Sequence, residues 1–336
     1  MSKILGSNFM VKVSSLWLLT TILLASFQPA QAQQPGKMPR IGFLVASSQA
    51  AAAARVAAFR DGLRQLGYVE EKNLAIEFRF AEGKLDRVPS LAAELVRSQV
   101  DVIVTAGARD TRAAKEATNR IPIVMASDTD PIGSGHVASL ARPGANITGL
   151  STLSPELSGK QLELLKEIVS RLARVAVVET STEPGNALAH QETELAAKEF
   201  GIQLQFLAVR DSESIESAFR TASKGRAEAV LMLGSPVFNS NRAQITDLAV
   251  KSRLPAIYRT PEFVDAGGPM CYGANIADLF RRAATYVDKI LKGRQPADLP
   301  VEQPIKFEFI VNLKAAKQIG LTIPPNVLVR ADRVIR

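Results

Sequence analysis

The chain has 336 residues, 46% of them hydrophobic, and a formal net charge of +8 at pH 7. This length exceeds one ordinary hydrophobic core, so two domains are expected. The charges are mixed in sign and dispersed without a Lys/Arg-rich block, which argues against a nucleic-acid partner. The single cysteine, Cys271, excludes an intrachain disulfide, and two histidines, His136 and His190, provide too few ligands for a His/Cys metal site. We therefore expect no metal and no cofactor.

The first 32 residues have the pattern of a secretory signal peptide. Lys3 and Lys12 give a positive start, residues 13–27 are mostly apolar, and residues 30–32 read Ala-Gln-Ala, a small-x-small cleavage site. The alternative is a transmembrane anchor, but the apolar segment is shorter than the ~20 residues that a membrane span needs. The pattern predicts export with cleavage near Ala32. Removing the two lysines lowers the formal charge from +8 to +6.

Strands and helices alternate in the first half of the remaining chain. Short apolar runs predict buried strands, and runs with a single apolar face predict helices that stop at glycine or before polar loops. Repeated strand-helix-strand units imply a parallel α/β sheet with right-handed crossovers. The predicted elements are a strand over 41–45, a helix ending at Gly67, a strand over 74–80, a helix over 85–97, a strand over 100–105, a helix after Gly107, and strands over 121–126 and 147–151.

The second half repeats this plan after a helix over 155–172. Three landmarks recur at near-constant spacing: Gly67 with Gly201, residues 104–107 with 231–234, and residues 121–122 with 254–255. Such spacing predicts two similar lobes in tandem. The alternative is that parallel α/β segments simply resemble one another.

We therefore predict two Rossmann-like α/β lobes with parallel sheets joined by hinge crossovers. The N-terminal lobe is predicted over 38–151 plus 275–300, and the C-terminal lobe over 152–274 plus 301–336. The last pieces, including a helix over 275–291 and a strand over 306–311, come after both lobes are complete. They are expected to return to each lobe in turn and to provide several hinge strands.

Nine segments, in the same order along the chain, resemble the ABC-transporter substrate-binding proteins related to the tryptophan-binding protein TrpX. The match runs from about Arg40 to the C-terminus, and the ordered set is more specific than any single motif. The segments are Asp-Pro-Ile at 130–132, Ser-Leu-Ala-Arg-Pro-Gly at 139–144, Asn-Ile-Thr-Gly at 146–149, Leu-Pro-Ala-Ile-Tyr at 254–258, Ala-Gly-Gly at 266–268, Tyr-Gly at 272–273, Ile-Leu-Lys-Gly at 290–293, Pro-Ala-Asp-Leu-Pro at 296–300 and Gly-Leu-Thr-Ile-Pro at 320–324.

The resemblance implies a type I periplasmic-binding-protein fold whose lobes close on a small ligand. It also implies a periplasmic location, a partner permease and ATPase in the inner membrane, and amino acids, often apolar or aromatic ones, or related carboxylates as ligands. We expect a monomer that is not an enzyme. The alternatives are an exported small-molecule sensor or a secreted enzyme on the same two-lobe fold.

Polar residues follow the predicted strands of both lobes. Ligands of open parallel sheets bind outside the carboxyl ends of the strands, so these residues are expected to meet in the cleft. The predicted ligand-binding residues are Ser47, Ser48, Gly107, Ala108, Arg109, Asp128, Ser181, Ser235, Tyr258 and Arg259.

Several of these residues have a predicted role. The helix after Gly107 offers free N–H groups to a carboxylate, and Asp128 is placed to pair with an ammonium group. Tyr258 and Phe238 are expected to form apolar walls, whereas Phe43 sits in mid-strand, where core packing is expected. Our hypothesis for Arg109 and Arg259 is that they select an additional anionic group, because guanidinium binds carboxylate bidentately. The alternative is that both are solvated at the rim.

The remaining sequence signals argue against an enzyme and against a repressor. Residues 133–138 match the dinucleotide fingerprint GxGxxA, but they follow the fourth strand instead of the first. His136 is the only plausible base in this stretch, and its loop has no obvious matched nucleophile. A repressor would need a helix-turn-helix before the first strand, where the signal peptide is predicted instead.

Overall fold

The structure is a computed structural model that describes residues 38–336, so the predicted signal peptide lies outside the described residues. The strands are β1 (Arg40–Val45), β2 (Ala75–Phe80), β3 (Val102–Thr105), β4 (Ile123–Asp128), β5 (Ile147–Ser151), β6 (Arg174–Glu179), β7 (Gln203–Ala208), β8 (Ala229–Met232), β9 (Ala256–Tyr258), β10 (Met270–Ala274), β11 (Phe307–Asn312) and β12 (Arg333–Ile335). The α-helices are α1 (Gln49–Gln65), α2 (Val88–Arg97), α3 (Ala108–Ala117), α4 (Ser154–Ile168), α5 (Asn186–Phe200), α6 (Ser212–Lys224), α7 (Pro236–Ser240), α8 (Arg242–Lys251), α9 (Pro261–Asp265), α10 (Ile276–Leu291), α11 (Leu313–Gln318) and α12 (Pro325–Leu328).

The first sheet defines the first lobe. Its five strands are parallel and lie in the order β2-β1-β3-β4-β5. Helices α1 and α10 pack their apolar side chains on one face, while α2 and α3 pack on the other. Every residue of β3, β4 and β5 is buried, as expected for strands that are covered on both faces.

The second sheet defines the second lobe. Its seven strands lie in the order β12-β11-β10-β9-β8-β6-β7. The strand pairs between β7 and β10 are parallel. β11 runs antiparallel to β10, and β12 pairs parallel with β11. The predicted parallel arrangement therefore does not extend to this edge of the sheet. The chain reaches β11 from the first lobe without a crossover helix, and an antiparallel pair needs none.

The chain passes between the lobes at three places within residues 38–336. β5 leads to α4, β10 leads to α10, and the segment after α10 returns to β11. The returning segment runs beside β5, where Ser151 N donates to Glu302 O at 2.9 Å and Glu302 N donates to Gly149 O at 3.0 Å. These connections make a hinge of the kind that allows two lobes to close. The fold class predicted from the sequence, two α/β lobes joined by hinge connections, is confirmed.

Helix α10 belongs to the first lobe, where it packs closely against α1. At Gly62 the two helices approach so closely that a Cβ atom would lie 2.3 Å from the carbonyl oxygen of Arg281. Ala283, Ala284 and Val287 of α10 are fully buried in the same core. The residue limits predicted for the two lobes stay a prediction.

Candidate functional site

The carboxyl ends of the strands in both sheets border one cavity. Its volume is about 120 Å³, well above the ~10–15 Å³ that a single water needs on the same measure. The first lobe contributes residues that follow β1, β3 and β4, and the second lobe contributes residues that follow β6, β8 and β9. This is the position at which ligands of open parallel sheets bind.

Six of the ten predicted ligand-binding residues line this cavity. Their contact with a ligand stays a prediction. They are Ser47, Gly107, Ala108, Arg109, Ser235 and Arg259.

Ser48 and Ser181 do not line the cavity. The side chain of Ser48 caps α1 by accepting a hydrogen bond from Ala51 N at 3.2 Å. Its backbone N–H donates to Ser240 Oγ of the second lobe at 3.0 Å, so Ser48 joins the lobes outside the cavity. Ser181 lies in an exposed turn after β6. Both are turn or cap positions, which serine commonly occupies after a strand.

Asp128 also lies outside the cavity, with its side chain fully buried in the first lobe. Its Oδ2 atom is 3.0 Å from Nδ1 of His136, and its Oδ1 atom accepts a hydrogen bond from Asp130 N at 3.2 Å. Residues 129–136 therefore fold back and place His136 against the strand end. The carboxylate of Asp128 therefore holds this loop in place. The sequence had instead suggested that it would pair with an ammonium group of the ligand.

Replacing Asp128 by asparagine should destabilise the protein without weakening ligand binding. The amide keeps the shape of the side chain but removes the charge that faces His136, which should cost about 1–2 kcal/mol of unfolding free energy. Chemical denaturation measures the stability, and titration calorimetry measures the affinity. An affinity loss larger than the stability loss explains would place Asp128 at the ligand instead.

Tyr258 does not line the cavity but supports its wall from behind. Its ring is fully buried and stacks on Phe263 with 4.7 Å between ring centroids, and burial raises the pKa of its hydroxyl. Phe263 and Phe238 line the cavity themselves. Phe43 packs in the core of the first lobe, 5.1 Å from the ring of Phe59, as its mid-strand position predicted.

Two arginine–glutamate ion pairs connect the lobes beside the cavity. In the first pair, Arg109 Nε donates to Glu183 Oε2 at 2.9 Å, and Arg109 Nη2 donates to Thr182 O at 2.8 Å. In the second pair, Arg55 Nε lies 3.4 Å from Glu262 Oε1. In both, the first lobe supplies the arginine and the second lobe supplies the carboxylate. The structure is therefore a closed arrangement of the lobes.

Burial strongly affects the acidic groups at the first of these pairs. The side chain of Glu183 is 8% exposed, and burial raises its pKa to about 7, although Arg109 acts in the opposite direction. Asp110, next along α3, is 2% exposed and lines the same cavity. Burial raises the pKa of Asp110 well above its usual range, and the charge of Glu183 adds to the increase.

Arg259 is a half-buried cation at the second-lobe side of the cavity. Its Nη2 atom donates to Ser158 Oγ at 3.0 Å. Burial lowers its pKa to about 10, while the charge of Glu156 opposes this change. The guanidinium therefore stays charged at neutral pH.

The cavity residues that were not predicted from the sequence include Arg55, Asp110, Gln161 and Glu183. Arg55 and Gln161 sit within helices, where no strand-end rule applies. Gln161 is held by a hydrogen bond from its Nε2 atom to Tyr272 O at 2.7 Å. Asp110 could have been found, because it lies in the first turn of the helix that the sequence had already placed at the cleft.

Residues 38–336 contain neither a candidate metal-ligand cluster nor a candidate membrane-spanning helix. No group of three or more His, Cys, Asp or Glu side chains in residues 38–336 could hold a metal ion. Over the same residues, no helix combines the length and the apolar character needed to cross a membrane.

Comparison with known proteins points to one family. The family model described as ABC transporter substrate binding protein matches residues 40–335. A tyrosine-binding protein from Clostridioides difficile (strain R20291) is 25% identical over 264 residues, which cover 78% of this chain and 75% of the relative. The resemblance inferred from the sequence motifs is confirmed.

Two solved structures are similar over nearly the whole described chain. A conserved domain protein from Vibrio cholerae has a TM-score of 0.84 and 29% identity. An ABC domain in complex with L-Trp from Streptococcus pneumoniae has a TM-score of 0.83 and 27% identity. Each comparison covers 89% of this chain and 100% of the other.

Proposed function

Because the chain belongs to the family of ABC transporter substrate-binding proteins, we propose that it captures an amino acid between its lobes and delivers it to the permease of an ABC importer. The ligand is an amino acid with an aromatic side chain. Relatives named for tyrosine binding and solved with L-Trp support this choice.

The observation that carries the proposal is the cavity enclosed at the strand ends of both lobes. Its lining combines apolar side chains, including Phe238, Phe263 and Leu157, with a small set of buried charges. Small-molecule sites have this character: apolar walls with a few polar groups that fix orientation. The aromatic side chain of the ligand packs against the apolar walls.

The carboxylate of the ligand has two sources of positive charge. The N-terminus of α3 borders the cavity at Gly107 and Ala108, where backbone N–H groups and the helix dipole favour an anion. Arg259 supplies a half-buried guanidinium from the second lobe. The hypothesis of an additional anionic group stays open for Arg259. It is weaker for Arg109, whose guanidinium is already bonded to Glu183 and Thr182.

Capture proceeds by closure of the lobes. An open form admits the ligand, contacts from both lobes stabilise the closed form, and the permease recognises the closed shape. We place the protein in the periplasm after removal of the predicted signal peptide, as a monomer that acts with a membrane permease and ATPase. No catalytic step is needed, because the ligand is transported unchanged.

A ligand screen tests this proposal. L-tryptophan, L-tyrosine and L-phenylalanine are compared with non-aromatic amino acids and with sugars by thermal shift. A ligand at 100 times its Kd should stabilise the folded form by about 2.7 kcal/mol, because it binds only that form. We expect a rise in Tm with at least one aromatic amino acid, and mass spectrometry of small molecules released from the purified protein provides an independent identification. The proposal fails if no amino acid raises the Tm and none is released.

A further inference from the structure

We propose that a cationic group of the ligand binds at Asp110 and Glu183 in exchange for a proton, so that capture of an ammonium-bearing ligand releases a proton from this carboxyl pair. This inference rests on the proposed function, because it requires a ligand with an ammonium group in the cavity between the lobes.

The first argument for this proposal is the position of the two carboxyl groups. Asp110 belongs to the first lobe and Glu183 to the second, and both line the cavity. Asp110 is 2% exposed, and its Oδ1 atom has no hydrogen-bond partner within the described part of the chain. A buried acceptor that is left without a donor is costly. A ligand that donates an N–H group to this atom would remove that cost.

The second argument is the balance of charge around Asp110 and Glu183. Arg109 bonds to Glu183 and neutralises one of the two carboxylates. Arg112 on the same helix also favours the ionised form of Glu183, whereas Asp128, at the end of β4 and beside His136, disfavours it. Arg55 and Arg259 also line the cavity, but Arg55 pairs with Glu262 and Arg259 donates to Ser158 Oγ. Arg109 is the guanidinium that contacts this carboxyl pair, so the pair has one more carboxylate than guanidinium.

A proton compensates this excess when no ligand is present. Burial and the charge of Glu183 hold the pKa of Asp110 well above its usual range, against the smaller effects of Arg109 and of the backbone N–H groups of Ala46 and Ala106. Both carboxyl groups therefore hold a proton more readily than an exposed carboxyl group does, and the guanidinium of Arg109 contacts Glu183.

A ligand ammonium supplies the same positive charge as this proton. On binding, the O–H bond of Asp110 breaks, the proton passes to solvent, and an N–H group of the ligand donates to the carboxylate. No covalent bond to the ligand forms. Protons and ligand then compete, so affinity should increase with pH, by up to about tenfold per pH unit for one released proton. Capture is strongest at neutral or higher pH and weakens in acid.

Titration calorimetry in two buffers measures the exchange directly. L-tryptophan, L-tyrosine and L-phenylalanine are titrated at pH 7 in phosphate and in Tris, whose ionisation enthalpies differ. The difference in observed enthalpy gives the number of protons released, and we expect a value near one. Binding without proton release contradicts this inference and leaves the proposed function intact, whereas no binding by any amino acid contradicts both. Indole-3-propionate, which lacks the ammonium group, should bind at least tenfold more weakly and release no proton.

Variants assign the exchange to Asp110. Asp110→Asn has nearly the same shape but no titratable proton, so we expect at least tenfold weaker binding of the amino acid and little proton release. Glu179→Gln is the matched control, because it removes a buried carboxyl of the second lobe that does not line the cavity; its affinity and proton release should equal those of the unmodified protein. The pH profile of the unmodified protein between pH 5.5 and 8 is a second measurement if Asp110→Asn does not fold. A flat profile contradicts the exchange.

Discussion

Gly149→Ala is expected to abolish the folded first lobe. Gly149 lies in β5 with a φ of +133°, a conformation that residues with a Cβ rarely adopt. A Cβ atom there would lie 2.2 Å from the carbonyl oxygen and 2.6 Å from the nitrogen of Met125 in β4. Backbone atoms cannot move away as a flexible side chain can. Strain and overpacking together should exceed about 4 kcal/mol, a large part of the stability of an ordinary domain.

Gly67→Ala separates the two contributions to this effect. Gly67 has a φ of +87°, but nothing lies within 4 Å of the position that a Cβ atom would take, so only the conformational cost of about 1–2 kcal/mol applies. Circular dichroism and thermal melting should therefore show a folded Gly67→Ala variant with a modest loss of Tm. The Gly149→Ala variant should lack a cooperative transition of the first lobe. A Gly149→Ala protein that melts like Gly67→Ala would contradict the close approach of β4 and β5.

Local sequence patterns predicted most of the fold, and the segment that ends at Gly149 is an example. Gly149 ends the Asn-Ile-Thr-Gly motif, and its carbonyl oxygen accepts a hydrogen bond from Glu302 N in the hinge. Alternating apolar runs and glycine stops were sufficient for most of the strands and for the two lobes, since these patterns reflect local burial; β10 and β12 were not predicted. The direction of β11 was not predictable in the same way. The direction of β11 depends on the side from which the chain enters the second sheet when it comes back from the first lobe.

The sequence predicted the location of the candidate site better than it predicted the contacts that its residues make. Strand-end residues such as Ser47 and Ser235 reached the cavity, because the carboxyl edges of both sheets border it. Asp128 and Asp110 look alike in the sequence, since each is an acidic residue near a strand end. Only the loop that brings His136 back to Asp128 distinguishes them, and a single sequence does not show where a loop folds.

Pairs across the cleft were beyond the reach of sequence patterns. Arg109 and Glu183 are 74 positions apart along the chain and meet only when the lobes close. The sequence marked Arg109 as a charge at the cleft end, and the natural hypothesis was an anionic ligand group. In the structure, the anion that Arg109 contacts is Glu183 of the opposite lobe. Loss of Arg109 is therefore expected to weaken closure of the lobes, whereas the sequence hypothesis predicted altered ligand selectivity.

Removing both interlobe arginines, Arg55→Ala with Arg109→Ala, should weaken ligand binding by about 100-fold, or about 2.7 kcal/mol. Closing the lobes would then bury Glu183 and Glu262 without their partners, whereas in an open form both carboxylates can be hydrated. The closed population falls, and the apparent Kd rises in proportion. Titration calorimetry with L-tryptophan or L-tyrosine measures the change. Because the pKa of Glu183 is about 7, the loss should be larger at pH 8, where Glu183 is ionised, than at pH 6, where a proton can replace the arginine.

A double-mutant cycle separates closure from direct ligand contact. If Arg109 acts through Glu183, adding Glu183→Ala to Arg109→Ala should cost less than Glu183→Ala alone, because the buried charge has already lost its partner. Arg64→Ala is the matched control: it removes an exposed arginine of α1 that pairs with Asp61 on the same helix and belongs to neither of the two ion pairs between the lobes, so its affinity should change less than about twofold. Additive losses for Arg109→Ala and Glu183→Ala would contradict closure through this ion pair. They would favour the hypothesis in which the guanidinium of Arg109 binds an anionic group of the ligand.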